Sequence, residues 1–283
     1  MLIIALLVAL LFPSLVQAQV IDTQEWETKP GLPWSYSSGQ SGTGASVDCT
    51  VTPSPSGGCA LRMVYPAGTY STSFGGGRAS RDITGNPTDL YIGAWMRYSN
   101  PFQFHSNGQK VNFWILSQTQ RCNGLSNPAQ TVNVAIGYIG AGGNATLASS
   151  PQVCWNGAPL SQIFFQNAAN WDETAHLNQW HWYEMRSKMN TPGQADGINQ
   201  VWIDDILYLD IQNVRILNTG ESGGHSGMQH TAEYGGGGST IATTQYWWID
   251  HTVLSTARIG MPGGTPVPTD TTPPTAPTSL VAQ

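Results

Sequence analysis

The chain has 283 residues, a formal net charge of −6, and only 10% charged against 40% hydrophobic side chains. No Lys/Arg cluster is present, which excludes nucleic acid as a partner, since no cationic patch could displace phosphate counterions. The hydrophobic share can build a core and excludes a disordered chain, while 32 Gly, 18 Pro and 11 Trp suit an extracellular β-rich protein with long loops.

In chain order, Met1 to Val16 is apolar and uncharged, and Val16-Gln17-Ala18 is a small-residue cleavage pattern before Gln19. The apolar run, interrupted by Pro13, is about 15 residues, short for a membrane span of about 20. Residues 1–18 are therefore expected to be a signal peptide. The predicted product is secreted, extracellular or periplasmic by bacterial-type export, monomeric and without a membrane partner. Residues 19–260 form the candidate domain. Four cysteines, Cys49, Cys59, Cys122 and Cys154, suggest two disulfides in an exported chain. Three pairings are possible. Cys49–Cys59 and Cys122–Cys154 are favoured, because each closes a loop region rich in Gly, Pro or Asn. No Cys-x-x-Cys spacing points to a metal.

Strand signals follow at Leu90 to Tyr98, Lys110 to Leu116, Thr131 to Ile139 and Gln162 to Phe165. Later ones are His181 to Lys188, Gln200 to Asp204, Gln245 to Asp250 and Thr252 to Ile259. Each is rich in β-branched or aromatic residues and bounded by Gly, Pro, Asn or Ser. His181 to Asn190 and Ile198 to Asp205 read as a hairpin around Asn190-Thr-Pro-Gly-Gln-Ala-Asp-Gly197. No long segment has a 3.6-residue period and no βαβ rhythm appears, so the predicted class is all-β, an antiparallel sandwich. Residues 261–283 are rich in Pro and Thr, an extended linker. Within them, Pro274-Thr-Ala-Pro-Thr-Ser-Leu-Val-Ala282 resembles the opening strand of a fibronectin type III module.

The hairpin Trp180-His-Trp-Tyr-Glu-Met-Arg-Ser-Lys188 with Asp196-Gly-Ile-Asn-Gln-Val-Trp-Ile-Asp-Asp205, the run Tyr234-Gly-Gly-Gly-Gly238 and the strand Tyr246-Trp-Trp-Ile-Asp250 resemble concanavalin A-like jelly rolls. The likeness is greatest to the alginate and glucuronan lyase type. It implies a β-sandwich of two antiparallel sheets, one of them a groove for a polysaccharide. Lyases of this fold carry an Arg-x-Glu strand, a Gln-x-His strand and a Tyr-x-Lys strand; none of these strands is expected intact here, and Glu184-Met-Arg186 has the spacing of the first in reversed order. The resemblance also implies a structural Ca²⁺ held by hard oxygen ligands, with Asp250 and Glu25 as the expected pair.

Lyase action on a uronate needs a group that neutralises the carboxylate, a base for the acidified C–H and an acid for the leaving oxygen. Candidate neutralisers are Arg78, Arg81, Asn112 and Arg186; candidate bases and acids are Lys110, His181, Tyr183, His230 and Tyr234. Strand alternation puts Lys110, Asn112 and Trp114 on one face, and Trp182, Glu184, Arg186 and Lys188 on another expected to face outward. The expected catalytic set is thus Lys110, Asn112, Glu184, Arg186, His230 and Tyr234. Arg78, Trp114, Trp155, Trp182 and Lys188 are the expected substrate contacts. Trp155 and Trp171 read as sugar-stacking residues, Trp202 and Trp247 as core. Two further readings stay open. One is a lectin-like binding module. The other is a glycoside hydrolase whose carboxylate pair would be Glu184 and Glu233, because no Glu-x-Asp-x-x-Glu strand is present.

Overall fold

The computed structural model describes residues 19–27, 34–37, 44–51, 55–68, 77–105, 109–118, 131–141, 144–150, 154–155, 158–159, 165–166, 171–217, 219–234 and 240–263. The expected signal segment, Cys122 and the tail from residue 264 lie outside them. Among the described residues no helix is long and apolar enough to cross a membrane.

The architecture is an antiparallel sandwich. The first strands in chain order are β1 (Val20–Gln24), β2 (Trp34–Ser37), β3 (Ala45–Asp48), β4 (Ala60–Tyr65), β5 (Arg78–Asp82), β6 (Asp89–Tyr98), β7 (Gln109–Gln118), β8 (Thr131–Ala141) and β9 (Asn144–Ser150). Three short pieces follow, β10 (Cys154–Trp155), β11 (Ala158–Pro159) and β12 (Phe165–Gln166), with a 3₁₀ turn at Glu173–His176. The chain then forms β13 (His181–Lys188), β14 (Gly197–Ile203), β15 (Ile206–Val214), β16 (Gly223–Tyr234) and β17 (Gln245–Ser255). Sheet A runs β15-β14-β13-β6-β17-β4-β3, with β1 added against β17; sheet B runs β12-β9-β8-β7-β16-β5-β2.

The core lies between the sheets. Sheet A contributes Leu61, Met63, Ile92, Ala94, Met96, Tyr98, Tyr183, Met185, Trp247 and Ile249. Sheet B contributes Trp34, Ala79, Met228, Ala232 and Tyr234. Trp247, read as core from its strand, is core. Alternate residues of each strand therefore project outward.

Two expected strands, 245–250 and 252–259, are one strand ending at Ser255. It is broken by a bulge at His251, whose φ is 46°, where the pairing with β6 slips between Asp250 and Val253. Residues 256–261 leave the sheet and lie as a strap across the outer face of sheet A. The hairpin is as expected: Tyr183 to Lys188 pair with Ile203 to Ile198. Asn190 closes its turn region by donating to three carbonyls, of Thr191, Gln194 and Leu217, each at 2.8 Å. The expected Cys49–Cys59 disulfide is present.

Candidate functional site

The residues expected to share one trough are divided between two sheets. Lys110, Asn112 and Trp114 are on β7 of sheet B, whereas Glu184, Arg186, Lys188 and Trp182 are on β13 of sheet A. No single surface can hold Lys110, Asn112 and Arg186 together. The same division separates Glu184 from Glu233, which removes that pair as a hydrolase dyad.

On sheet A, alternation assigned the face correctly but not its surroundings. Trp182 and Glu184 point away from the core, yet both are 0% exposed. Trp182 packs on Trp95 and His251 at 5.7 and 6.0 Å between ring centroids and above Gly93. Glu184 accepts from the backbone N–H of Ile259 at 2.7 Å and of Gly260 at 2.9 Å, and from Arg258 Nε at 3.2 Å. Burial raises its pKa, and these donors only partly oppose the shift. It is a buried anchor for the strap.

Arg186 is committed as well. Its Nε and Nη2 reach both Asp89 oxygens at 2.9 and 2.7 Å, and Nη1 reaches Gln200 Oε1 at 3.1 Å. Burial disfavours its charge, but Asp89, with smaller help from Tyr91 and Asp210, outweighs that and raises the pKa. Lys188 is half-buried beside it, opposite Asp89. Trp202, expected in the core, lies on this outer face instead, with the Arg258 guanidinium 4.3 Å above its ring.

On sheet B, Met228, Ala232 and Tyr234 are core residues, so the even positions of β16 face inward. His230 shares that side. It is fully buried, stacks on Trp34 at 6.2 Å and meets Thr252 Oγ1 through Nε2 at 3.1 Å. Burial lowers its pKa to about 3, so it is neutral. Tyr234 is equally buried, its hydroxyl accepting from Gln103 Nε2 at 2.9 Å. Neither reaches a substrate face. Tyr183 also points inward, donating to the buried Glu173 at 2.5 Å. His181 Nδ1 is held by Asp204 at 2.6 Å, and Arg81 by Asp22 at 2.8 Å. Two segments with Gln-x-His spacing, Gln103 to His105 and Gln179 to His181, both lie outside sheet B. Trp171 is buried, stacked on His176 at 4.0 Å, so it is not a sugar platform. Trp155 is placed only through the pairing of β10 with β11.

Of the odd positions of β16, Gln229 and Glu233 are half-buried, whereas His225 and Thr231 are fully buried. Gln229 pairs with Ser80, which pairs with Ser35; Thr231 pairs with Arg78, which pairs with Ser37. Directly opposed residues of antiparallel strands share a face, so these form two rows across β16, β5 and β2. The Ser35 and Ser80 hydroxyls touch at 2.8 Å. On the other side of β16, Glu233 is in register with Lys110, whereas the expected site residues Asn112 and Trp114 are in register with the inward positions His230 and Met228 and so are not aligned with this row. Arg78 is half-buried, and no described carboxylate pairs with it. A hydroxyl, amide and guanidinium surface of this kind can bind a polyhydroxylated anion. Sequence reasoning named Arg78 but missed Gln229; its alternation with Met228 and His230 was the available signal.

The expected calcium ligands, Asp250 and Glu25, each have protein partners. Asp250 is fully buried and accepts from Ser56 Oγ at 2.6 Å and from its neighbour His251 N at 2.8 Å. Glu25 accepts from, or receives a proton shared with, His251 Nδ1 at 2.7 Å. Among the described residues no group of three or more His, Cys, Asp or Glu side chains is placed to hold a metal ion.

No family model matches the chain, and no curated protein resembles it in sequence. Solved structures do resemble it. An alginate lyase from Chlorella virus has a TM-score of 0.62 at 16% identity, over 83% of this chain and 99% of that one. The endo-β-1,4-glucuronan lyase of the fungus Trichoderma reesei has a TM-score of 0.59 at 13% identity, over 83% and 95%. A marine alginate lyase from Aplysia kurodai has a TM-score of 0.57 at 16% identity, over 79% and 90%. The expected jelly roll of two antiparallel sheets is the fold of this chain.

Proposed function

Starting from a jelly roll of the kind found in alginate and glucuronan lyases, we propose that this chain is a secreted polysaccharide lyase that cleaves a uronate-bearing glycan by β-elimination on the outer face of sheet B. The observation that carries this reading is Arg78, a half-buried cation with no described carboxylate partner, on the strand face that also carries Ser80 and Gln229. Arg62, Arg81, Arg186 and Arg258 are all paired with carboxylates.

In this mechanism Arg78 neutralises the uronate carboxylate and so acidifies the neighbouring C5–H. A base takes that proton, the electron pair forms the C4–C5 double bond, and the C4–O bond breaks. The departing oxygen takes up a proton. Lys110, whose backbone lies two strands from Arg78, is assigned as the base. A structural Ca²⁺ forms no part of this chemistry.

The test is a screen of the purified chain against alginate, glucuronan, pectate, hyaluronan and neutral glucans, reading ultraviolet absorbance of the unsaturated product and reducing ends together. Absorbance rising with reducing ends is the expected result, and Arg78→Ala should lower kcat/KM by roughly 100-fold or more. Reducing ends without absorbance sink the elimination mechanism.

A second reading is favoured by the inward orientation of His230 and Tyr234. With imidazole and phenol off the face, the same row suits a lectin-like module that binds the glycan without turnover. Retention of a glycan that is never cut selects it.

A further inference from the structure

The outer face of sheet A carries a second arrangement of cation and aromatic rings, away from the strap. Trp248 is directly opposite Arg62 on one side and Arg97 on the other. The Arg97 guanidinium lies 5.5 Å from the Trp248 ring and 6.0 Å from the Trp180 ring. Asn178 Oδ1 accepts from Arg97 Nη2. The Arg62 guanidinium lies 5.7 Å from the Tyr246 ring, and Tyr246 packs on Trp248 at 5.6 Å. Arg62, Arg97, Trp180, Tyr246 and Trp248 are each partly exposed.

The two arginines differ in commitment. Arg62 is paired with Asp48 at 3.5 Å, and Asp48 also accepts from Trp248 Nε1 at 3.0 Å, which fixes the indole. Arg97 has no carboxylate partner among the described residues. Burial works against its charge, and a bound anion would offset that cost.

We infer that Arg97, Trp248, Trp180 and Tyr246 form a second binding platform for an acidic glycan, on the opposite side of the molecule from Arg78. Arg97 takes a carboxylate of the chain, and the rings take the apolar faces of adjacent pyranoses. Arg62 and Arg97 stand on strands two spacings apart, roughly 10 Å, which is also close to the two-sugar repeat of an extended 1,4-linked pyranoside chain. An aromatic pair beside a guanidinium without a carboxylate fits an anionic sugar better than a neutral one. The inference requires no turnover.

The test is native electrophoresis of the full chain through gels containing alginate or glucuronan, their carboxyl-reduced neutral forms, or no glycan. Mobility is read relative to the glycan-free gel. In an Arg78→Ala background, the acidic gels are expected still to retard the protein. Adding Arg97→Gln, or separately Trp180→Ala, should reduce that retardation at least fivefold with unchanged thermal unfolding. If Arg78→Ala alone abolishes retardation, the platform is overturned while the site on sheet B stands. Equal retardation of the wild-type chain by acidic and carboxyl-reduced polymers, a measurement needing no variant, also overturns it. Self-association lost on Arg97→Gln, without glycan retardation, would assign the surface to a second copy instead.

Discussion

Glu184 accepts the backbone N–H of Ile259 at 2.7 Å, tying the middle of β13 to the strap formed after β17. Glu184→Ala strands the amides of Ile259 and Gly260 and leaves Arg258 only Asp205, at 3.3 Å. The expected loss is about 2–4 kcal/mol of unfolding free energy, with Glu184→Gln costing less because it keeps one acceptor. Urea unfolding of both variants checks this. An alanine variant as stable as wild type would mean the strap is held by something else.

The buried histidines set an acid limit. His230 and His225 have pKa values lowered by burial from 6.5 to about 3 and about 4. Below pH 6.5 the unfolded chain binds protons that the folded chain refuses, so stability falls as pH drops from about 6.5 toward 4. Each histidine contributes about 1.4 kcal/mol per pH unit over that window. His230→Phe should make the slope of unfolding free energy against pH shallower by about that amount. An unchanged slope would show that His230 already titrates in the fold.

The Cys49–Cys59 bridge closes a loop with a sequence separation of 10. Within that loop lies Ser56, whose hydroxyl reaches the buried Asp250. The Cys49→Ser/Cys59→Ser double variant should lose about 2–3 kcal/mol, read from urea unfolding without reductant. A variant as stable as wild type would mean that the bridge adds nothing to the fold.

At Gly93 a side chain has no room, since an added Cβ would lie 2.2 Å from Trp182 Cζ2. Gly93→Ala should cost about 1–3 kcal/mol. Trp182→Phe, which shortens the ring, should lessen that cost in the double variant, giving a coupling of at least about 0.5 kcal/mol. Strict additivity would mean that the two residues do not meet.

Strand pairing was readable because each strand carried its own pattern: the predicted Leu90 to Tyr98 became Asp89–Tyr98, and the predicted hairpin formed with the expected partners. Alternation also gave the faces of β13 correctly. It could not tell which sheet a strand joins, because sheet order arises from contacts far apart in sequence, and so it merged Lys110 with Arg186. It could not reveal that 256–261 folds back over Trp182 and Glu184. For the same reason it left His230 and Tyr234 on the wrong side: polar residues on an inward face look like site residues until their partners, Thr252 and Gln103, are known. Trp171 misled similarly, since its partner Glu173 is itself buried.

The Met261 amide is bonded to Asp205 Oδ1 in the turn between β14 and β15. With Glu184 holding Ile259 and Gly260, this bond lets one short run of main chain fasten β13 to the β14–β15 turn, so that edge of sheet A is clasped by amides rather than by a further strand.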